Sequence, residues 1–460
     1  MKKLIPILLL LSTIASGQTH RVFSVLEEPQ FATVEDSIRY AQVNQAIRKA
    51  MELKTELNDS LFTEFQLLRS RITGYRSIYN STTGFITLDS LAHISDKSAI
   101  KTLSINNWKS RKLPTAVYAC TNLQELELVN TRIKKVKQLK KLPKLTELYV
   151  LNNQPKGKFT VSKTKTLRTM VMRGNKPALP RSFAPLVALQ RLDLAANRLT
   201  NFPAGLSRNK NLKELVLSNN AISNLDQVQV LPALEKLELI RNKVEVIPES
   251  IKNLNGLKQL SLNYNSIQSV HPAIANLTRL EQLSFYNNKL KAIPEGIYDL
   301  PALREIDLYH NEIERVPDRI ANLKKLEILY LSHNKLISVT EAIGSLSNLN
   351  ELYLSDNRLV EIPASLQQLT NLKVLRVNNN RLVITPKSVS SLSLLENLDI
   401  SGNQLNEIPE GLDNLPALKI LVMLNNPWDE PTRKQIAAVT QTLRNKEVVV
   451  HVEEELGIRN

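Results

Sequence analysis

Apolar residues recur along the chain at a nearly constant interval of 22 or 23 residues, from about residue 100 to residue 428. One repeat, 280–300, reads LEQLSFYNNKLKAIPEGIYDL, and the next repeat has the same residue types in the same places. The shared positions of the first are Leu280, Leu283, Phe285, Asn288, Leu290, Ile293, Pro294, Ile297 and Leu300. A period of this size is typical of a solenoid, whose units bury their apolar faces only against neighbouring units.

Each repeat predicts a strand, a turn and a short helical return. Leu283 and Phe285 alternate as inward-facing residues of a short strand. Asn288 stands where the chain leaves that strand, and its amide can bond backbone groups of its own and the adjacent coil, so equivalent asparagines can stack in a ladder. Ile297 and Leu300 predict a helical or 3₁₀ return that faces the same core.

Fifteen units can be counted by their first apolar residue. They begin at Ile100, Leu123, Leu145, Leu167, Leu189, Leu212, Leu234, Leu257, Leu280, Leu303, Leu326, Leu349, Leu372, Leu395 and Leu418. The asparagine place is filled from the third unit onward, at Asn153, Asn175, Asn197, Asn220, Asn242, Asn265, Asn288, Asn311, Asn334, Asn357, Asn380, Asn403 and Asn426. Because Trp108 and Thr131 stand there in the first two units, those units are expected to be terminal in character.

This pattern resembles the 23-residue class of leucine-rich repeats, LxxLxLxxNxLxxIPxxIxxLxx, found in Ras-group and Scribble-like proteins and in bacterial exported proteins. Residues 349–369, LNELYLSDNRLVEIPASLQQL, match every skeletal position, and the resemblance covers residues 100–428. The third unit departs most, since Pro155-Lys156-Gly157-Lys158 replaces the Ile-Pro element. The resemblance implies an α/β fold, a right-handed, curved solenoid with a concave parallel β-sheet and a helical or 3₁₀ convex side, which binds partners.

The N-terminal flank predicts export. Residues 1–17 read as a signal peptide, with Lys2 and Lys3 before the apolar run 4–15 and small residues at 15–17. An N-terminal anchor that is never cleaved is the alternative. The exported protein is expected in the periplasm, on the cell surface or outside the cell.

Two caps are expected beside the array at 100–428. Residues 18–99 lack the period and predict a helical N-terminal cap, with a separate binding module as the alternative. One helix there is expected to begin at 58–60 and to stop at Gly74. Residues 429–460 are expected to form the C-terminal cap, with a helix over 432–443 and an edge strand within 447–452.

Tyrosines gather at strand positions that the repeat leaves free, in five consecutive units. We name them the tyrosine band: Tyr264, Tyr286, Tyr309, Tyr330 and Tyr353. Their side chains are expected on the concave sheet face, where tyrosine offers a large contact area with a polar tip at low entropic cost. The band is therefore the first candidate for a partner-binding site, although such positions also simply tolerate strand-forming residues.

Beside the band, His310, His333 and Asp356 occupy one place in three successive units. They are expected to stack at about 4.8 Å intervals. Such a column could hold zinc, but ligands in a line do not converge easily, so no metal site is predicted. Contact with a partner, sensitive to pH through the histidines, is the preferred hypothesis.

Positive charge is concentrated in one stretch. The formal net charge is +16, and residues 131–176 carry fourteen Lys or Arg against the single Glu147. Candidate polyanion-binding residues are Lys134, Lys135, Lys140, Lys141, Lys156, Lys158, Lys163 and Lys165. The stretch is expected on turns and returns, where it could bind lipopolysaccharide, an acidic glycan or a membrane surface. A solvated surface is the alternative, and the scarcity of aromatic residues among the lysines disfavours nucleic acid.

No catalytic motif is present in the sequence. It contains neither GxGxxG nor a P-loop nor HExxH, and the segment after Trp428 is too short for the catalytic ligase domain of some bacterial leucine-rich repeat proteins. Cys120 falls in the last leucine place of its unit, which predicts a buried structural thiol. We therefore expect a protein-interaction scaffold without catalytic residues or cofactor, monomeric unless its arrays stack edge to edge.

Overall fold

The computed structural model describes the backbone of residues 25–31 and 72–79, and then residues 86–453 except 154–157, 176–178, 181 and 385–386. The chain forms two compact units, Met1–Phe85 and Ile86–Asn460. In the first unit, β1 (Val25–Phe31) pairs antiparallel with β2 (Ile72–Tyr79).

The second unit contains the repeat array, and its strands follow the predicted period. They are β3 (Ile86–Thr87), β4 (Thr102–Asn106), β5 (Glu125–Val129), β6 (Lys135–Val136), β7 (Glu147–Leu151), β8 (Thr160–Val161), β9 (Thr169–Arg173), β10 (Arg191–Asp193), β11 (Glu214–Val216), β12 (Lys236–Glu238), β13 (Val246–Ile247), β14 (Gln259–Ser261), β15 (Ser269–Val270), β16 (Gln282–Ser284), β17 (Glu305–Asp307), β18 (Arg315–Val316), β19 (Ile328–Tyr330), β20 (Ser338–Val339), β21 (Glu351–Tyr353), β22 (Val374–Arg376), β23 (Asn397–Asp399), β24 (Ile420–Val422) and β25 (Val449–His451).

Seventeen of these strands form one parallel sheet. Each of the fifteen predicted units supplies one strand, from β4 to β24, in chain order. β3 pairs with β4 at one edge, and β25 pairs with β24 at the other, as expected for the C-terminal edge strand. The remaining short strands form three parallel pairs outside the main sheet: β6 with β8, β13 with β15 and β18 with β20.

The returns opposite the sheet are 3₁₀ turns, as the sequence predicts. They span Lys97–Ala99, Thr115–Ala119, Leu139–Lys141, Glu249–Leu254, Pro272–Asn276, Glu295–Asp299, Asp318–Asn322, Glu341–Ser345, Ala364–Gln368, Lys387–Ser391 and Leu412–Asn414. Leu283 and Phe285 of the strand and Ile297 of the return are all buried in one continuous core. Neighbouring returns pack so closely that a Cβ at Gly296 would lie 2.5 Å from the carbonyl oxygen of Pro272. The α/β solenoid is therefore confirmed.

A ladder of asparagine side chains joins successive coils. Asn311 Nδ2 donates to the carbonyl oxygens of Phe285 in the preceding coil and Leu308 in its own coil, both at 3.0 Å. Its Oδ1 accepts from the backbone N–H of Leu290 at 3.0 Å. The same arrangement recurs at Asn288 and Asn334. These bonds satisfy buried backbone groups that the turn leaves without strand partners.

The residue before each ladder asparagine has a left-handed backbone conformation. These residues are Asn152, Gly174, Ala196, Asn219, Arg241, Tyr264, Asn287, His310, His333, Asp356, Asn379, Gly402 and Asn425. Glycine and asparagine adopt this conformation at low cost, whereas larger side chains are uncommon there. The turn therefore fixes where Tyr264, His310, His333 and Asp356 leave the backbone.

Helices flank the array. α1 (Leu88–His93) places Leu91 in the core, and α2 (Glu430–Asn445) buries Ile436 and Leu443. The Asp429 side chain accepts from the backbone N–H of Thr432 at 2.9 Å and caps α2. The predicted helix over 432–443 is thus confirmed, with α2 extending beyond it at both ends.

The helix predicted to stop at Gly74 is wrong at its C-terminal end, because residues from Ile72 onward form β2. The segment ITGYRSIY is rich in β-branched and aromatic residues, which favour a strand when a pairing partner is available. That partner, β1, is remote in sequence, so no local periodicity predicts the pairing. The predicted signal peptide, 1–17, and residues 32–71 of the predicted N-terminal cap lie outside the described residues. Cys120 is buried as expected, and burial raises the pKa of its thiol.

Candidate partner-binding surface

The five residues of the tyrosine band lie on the sheet side of adjacent coils. Tyr330 and Tyr353 end β19 and β21 and are in register with each other. Tyr286 and Tyr309 follow β16 and β17 by two residues, and Tyr264 lies in the left-handed turn after β14. All five side chains are half-buried. The band thus crosses the strands obliquely, as the sequence spacing predicts.

The aromatic rings of the band contact one another. Tyr264 meets Tyr286 edge to face with ring centroids 4.9 Å apart, and Tyr286 stacks on Tyr309 at 5.4 Å. Tyr330 stacks on Tyr353 at 4.7 Å with nearly parallel rings. Such pairs add stability beyond the area they bury and hold each ring in place. The rings of the band therefore support one another within the folded chain.

The histidines extend the first group of rings. His310 stacks on His333 at 4.3 Å, and Tyr309 contacts both, at 4.6 and 4.8 Å. His333 Nε2 lies 3.2 Å from Asp356 Oδ2, so the predicted column exists. Burial and the neighbouring His333 lower the pKa of His310 to about 4. His310 is therefore uncharged at neutral pH.

The column shows no metal-binding geometry in the described structure. No group of three or more His, Cys, Asp or Glu side chains within the described part of the chain is arranged to hold a metal ion. Asp356 instead accepts a hydrogen bond from Asn379 Nδ2 at 2.9 Å. The column's chemistry is that of a polar, aromatic contact surface.

Two arginines that sequence reasoning missed contact the ends of the band. The Arg241 guanidinium lies 4.9 Å from the centroid of the Tyr264 ring, and the Arg376 guanidinium lies 5.8 Å from that of Tyr353. These distances are within the range of cation–π attraction. Each arginine stands 23 residues from its tyrosine, so the repeat period itself was the available signal.

Three carboxylates beside the band were also missed. Asp307 on β17 is paired in register with Tyr330 on β19, and Glu305 and Glu351 lie on the strands that flank β19. Burial raises the pKa of Asp307 to about 6, although Ser284 and the Tyr309 backbone N–H donate to it. Burial likewise raises the pKa of Glu305 and brings that of Tyr309 to about 12. This part of the sheet face is therefore acidic.

The basic stretch lies on the return side, as expected. Lys135 begins β6, Lys140 and Lys141 end a 3₁₀ turn, and all three are exposed. Lys158, Lys163 and Lys165 are exposed around β8, Lys134 is half-buried, and Lys156 lies outside the described residues. Lys112 of the preceding coil forms a parallel bridge with Lys135. Lys112 and its neighbour Arg111 therefore extend the stretch, and only their 23-residue offset from Lys134 and Lys135 signals this.

A separate apolar column is exposed outside the main sheet. Ile337, Val360 and Val383 occupy one place in three successive coils and are 44%, 52% and 46% exposed. Ile384 beside them is 65% exposed. This column offers a second surface against which the tyrosine band can be compared.

Family models agree with this architecture. A model described as leucine-rich repeat region matches residues 318–456, and one described as leucine rich repeat matches 187–244, 232–290, 256–313 and 286–336. A third, leucine rich repeats in two copies, matches 121–162. The fold and these matches define a repeat protein of the binding-scaffold class. The chain belongs to the leucine-rich repeat family.

Solved structures of repeat proteins share the fold. A leucine-rich repeat protein of Leptospira interrogans is 25% identical, with a TM-score of 0.62, over 79% of this chain and 97% of that one. The ectodomain of the receptor kinase GASSHO1/SCHENGEN3 of Arabidopsis thaliana, solved in complex with CASPARIAN STRIP INTEGRITY FACTOR 2, is 27% identical, with a TM-score of 0.57, over 77% and 46%. An internalin of Listeria monocytogenes is 24% identical, with a TM-score of 0.51, over 66% and 88%.

Comparison with curated proteins gives no match. In the described part of the chain, no helix has the length and apolar character needed to cross a membrane.

Proposed function

We propose that this protein is an exported scaffold that binds a protein partner on the sheet face through the tyrosine band. The observation that carries the proposal is the ordered array of half-buried rings from Tyr264 to Tyr353 on adjacent rigid coils. Aromatic side chains held in place lose little entropy on binding, and tyrosine is enriched among residues that dominate interface energies. The surface acts by recognition and needs no cofactor.

Two further observations support the proposal. Residues 1–17 have the composition of a signal peptide, and the similar plant ectodomain was solved with a bound partner. Export places the band where such a partner is met, in the periplasm, on the cell surface or outside the cell.

The test is partner capture from cell-envelope extract on the tagged, exported protein. Changing Tyr309→Ala together with Tyr330→Ala is expected to reduce the captured partner at least tenfold while circular dichroism shows an intact fold. Tyr118→Ala is the control, because Tyr118 lies on the return side and bonds the Lys137 carbonyl oxygen. Undiminished capture by the double variant contradicts a binding role for the band.

A second candidate function is binding of an anionic glycan or membrane surface by the basic stretch. The observation that favours it is the exposure of Lys135, Lys140 and Lys141 without ion pairs in the described structure. Exposed lysines of one coil that lack a neutralising carboxylate make a positive field that attracts polyanions.

Heparin chromatography tests this second function. Changing Lys140 and Lys141 to Glu is expected to lower the salt concentration at elution markedly, because charge-dependent binding weakens with ionic strength. Changing Lys324 and Lys325 to Glu is the matched control, since it alters an exposed lysine pair in another coil by the same charge. Equal loss of retention in both variants indicates a net-charge effect and removes the candidate.

A further inference from the structure

We propose that the segment held by the tyrosine band is a cationic stretch of the partner protein, rich in arginine or lysine. This inference rests on the proposed function and adds the chemistry of the ligand. It comes from three features of the same surface: carboxylates that lack cationic partners, rings that accept cations, and a local charge opposite to that of the whole chain.

The carboxylates beside the band bond neutral donors. Asp307 Oδ2 accepts from Ser284 Oγ at 2.8 Å, Glu305 accepts from Gln282 Nε2 at 2.9 Å, and Glu351 accepts from Tyr353 Oη at 2.6 Å. None of the three forms an ion pair in the described structure. Neutral donors orient these groups but leave their negative charge uncompensated.

Nearby carboxylates outside the band behave differently. Glu327 is paired with Arg304, and Glu312 is paired with Lys335 Nζ at 2.7 Å. At these two positions a neighbouring coil supplies a cation to the acidic group. The carboxylates around Tyr330 have no such cation among the described residues. A half-buried carboxylate without a cation raises the energy of the folded state.

The strand register places these charges around one ring. Asp307, Tyr330 and Tyr353 are successive neighbours across β17, β19 and β21. Glu305 and Glu351 flank Ile328 on either side, about 10 Å apart at two strand spacings. A guanidinium or ammonium group seated over Tyr330 would thus meet an aromatic face with negative groups on both sides.

The rings already bind cations within the molecule. Arg241 lies over Tyr264 and Arg376 over Tyr353, at the two ends of the band. Desolvated cation–π contacts are stronger than exposed ones, so the half-buried central rings suit a cation delivered by a partner. A planar guanidinium stacks on such rings and bonds carboxylates with the same group, which favours arginine.

Net charge predicts the opposite preference. The chain carries +16, so non-specific attraction selects acidic ligands. Selection of cationic ligands therefore reports the local surface and not the overall field.

The experiment is selection of random ten-residue peptides, displayed on phage, against the immobilised full chain. Peptides enriched at least twofold in arginine and lysine are expected. A synthetic selected peptide should bind the protein at least tenfold more tightly than it binds the variant Glu305→Gln with Glu351→Gln. Glutamine keeps the size and the accepting oxygen, and Glu361→Gln, in an exposed position outside the sheet, should leave affinity unchanged.

A second measurement leaves the protein unaltered. Replacing each arginine of the selected peptide by citrulline removes charge at nearly constant shape, and affinity should again fall at least tenfold. The cationic inference is overturned if the selected peptides bind more weakly to Tyr330→Ala but are not enriched in arginine and lysine. It is also overturned if their affinity changes neither with Glu305→Gln and Glu351→Gln nor with citrulline in the peptide. Either result leaves the proposed function standing. If no selected peptide depends on Tyr330 and Tyr353, both fail.

Discussion

The asparagine ladder is expected to be the main local determinant of the turn that presents the band, and Asn311→Ala tests this. Asn311 is 8% exposed and lies directly after Tyr309 and His310. Alanine removes three hydrogen bonds of 3.0 Å, with the carbonyl oxygens of Phe285 and Leu308 and the N–H of Leu290, together with a longer bond of 3.5 Å to the carbonyl oxygen of Tyr309. The variant therefore changes the coil joint without touching a ring.

The three losses are not equal. The carbonyl oxygens of Phe285 and Leu308 keep bonds from Asn288 and Asn334, whereas the N–H of Leu290 loses its side-chain acceptor inside the core. At about 1 kcal/mol for each of the three lost bonds, plus about 1–3 kcal/mol for one buried N–H left unsatisfied, the free energy of unfolding should fall by roughly 4–6 kcal/mol. That is a large fraction of the stability of an ordinary domain.

Urea denaturation followed by circular dichroism measures this change, and amide hydrogen exchange locates it. Exchange should accelerate first at Leu290 and in the adjoining coils, because each repeat contacts only its neighbours. Asn322→Ala, an exposed asparagine of the same coil, is the control and should change stability by less than about 0.5 kcal/mol. If both variants have the same stability, the ladder does not hold the coils together.

Two pH-dependent predictions concern the same coil. Asp307→Asn should raise the thermal midpoint at pH 8 and not at pH 3.5. Burial lifts the pKa of Asp307 in the folded state from 3.8 to about 6. The wild type therefore loses stability as the pH rises through that range, by at most about 3 kcal/mol. A gain of equal size at both pH values contradicts this. The pKa of His310 in the folded state, about 4, lies below the ordinary value of 6.5. The wild type should therefore lose stability relative to His310→Asn as the pH falls from 6.5 to 4. Parallel plots of stability against pH for the two proteins would refute this prediction.

The solenoid can be predicted from the sequence because its information is periodic. Leu283, Phe285 and Ile297 can be assigned to the core from spacing alone, since every coil repeats one local geometry and buries its apolar residues against the next. The same spacing locates the tyrosine band, because free strand positions alternate with buried ones. Periodicity therefore predicts both the core and the face on which each exposed residue lies.

Periodicity does not supply the detail of side-chain contacts or the structure outside the array. That Asp307 bonds Ser284, or that Arg376 covers Tyr353, depends on rotamers chosen across coils. The pairing of β1 with β2 joins segments that no repeat connects, so the local helical pattern near Gly74 gave the wrong element there. Long-range pairing outweighed local preference.

The most direct test of the central claim is site-specific photo-crosslinking in cell-envelope extract. Benzoylphenylalanine is placed at residue 353 in the tyrosine band or at residue 360, exposed in the apolar column of the same coil. We predict that a protein partner crosslinks to residue 353 and not to residue 360. Crosslinking at residue 360 alone would contradict the assignment of partner binding to the sheet face.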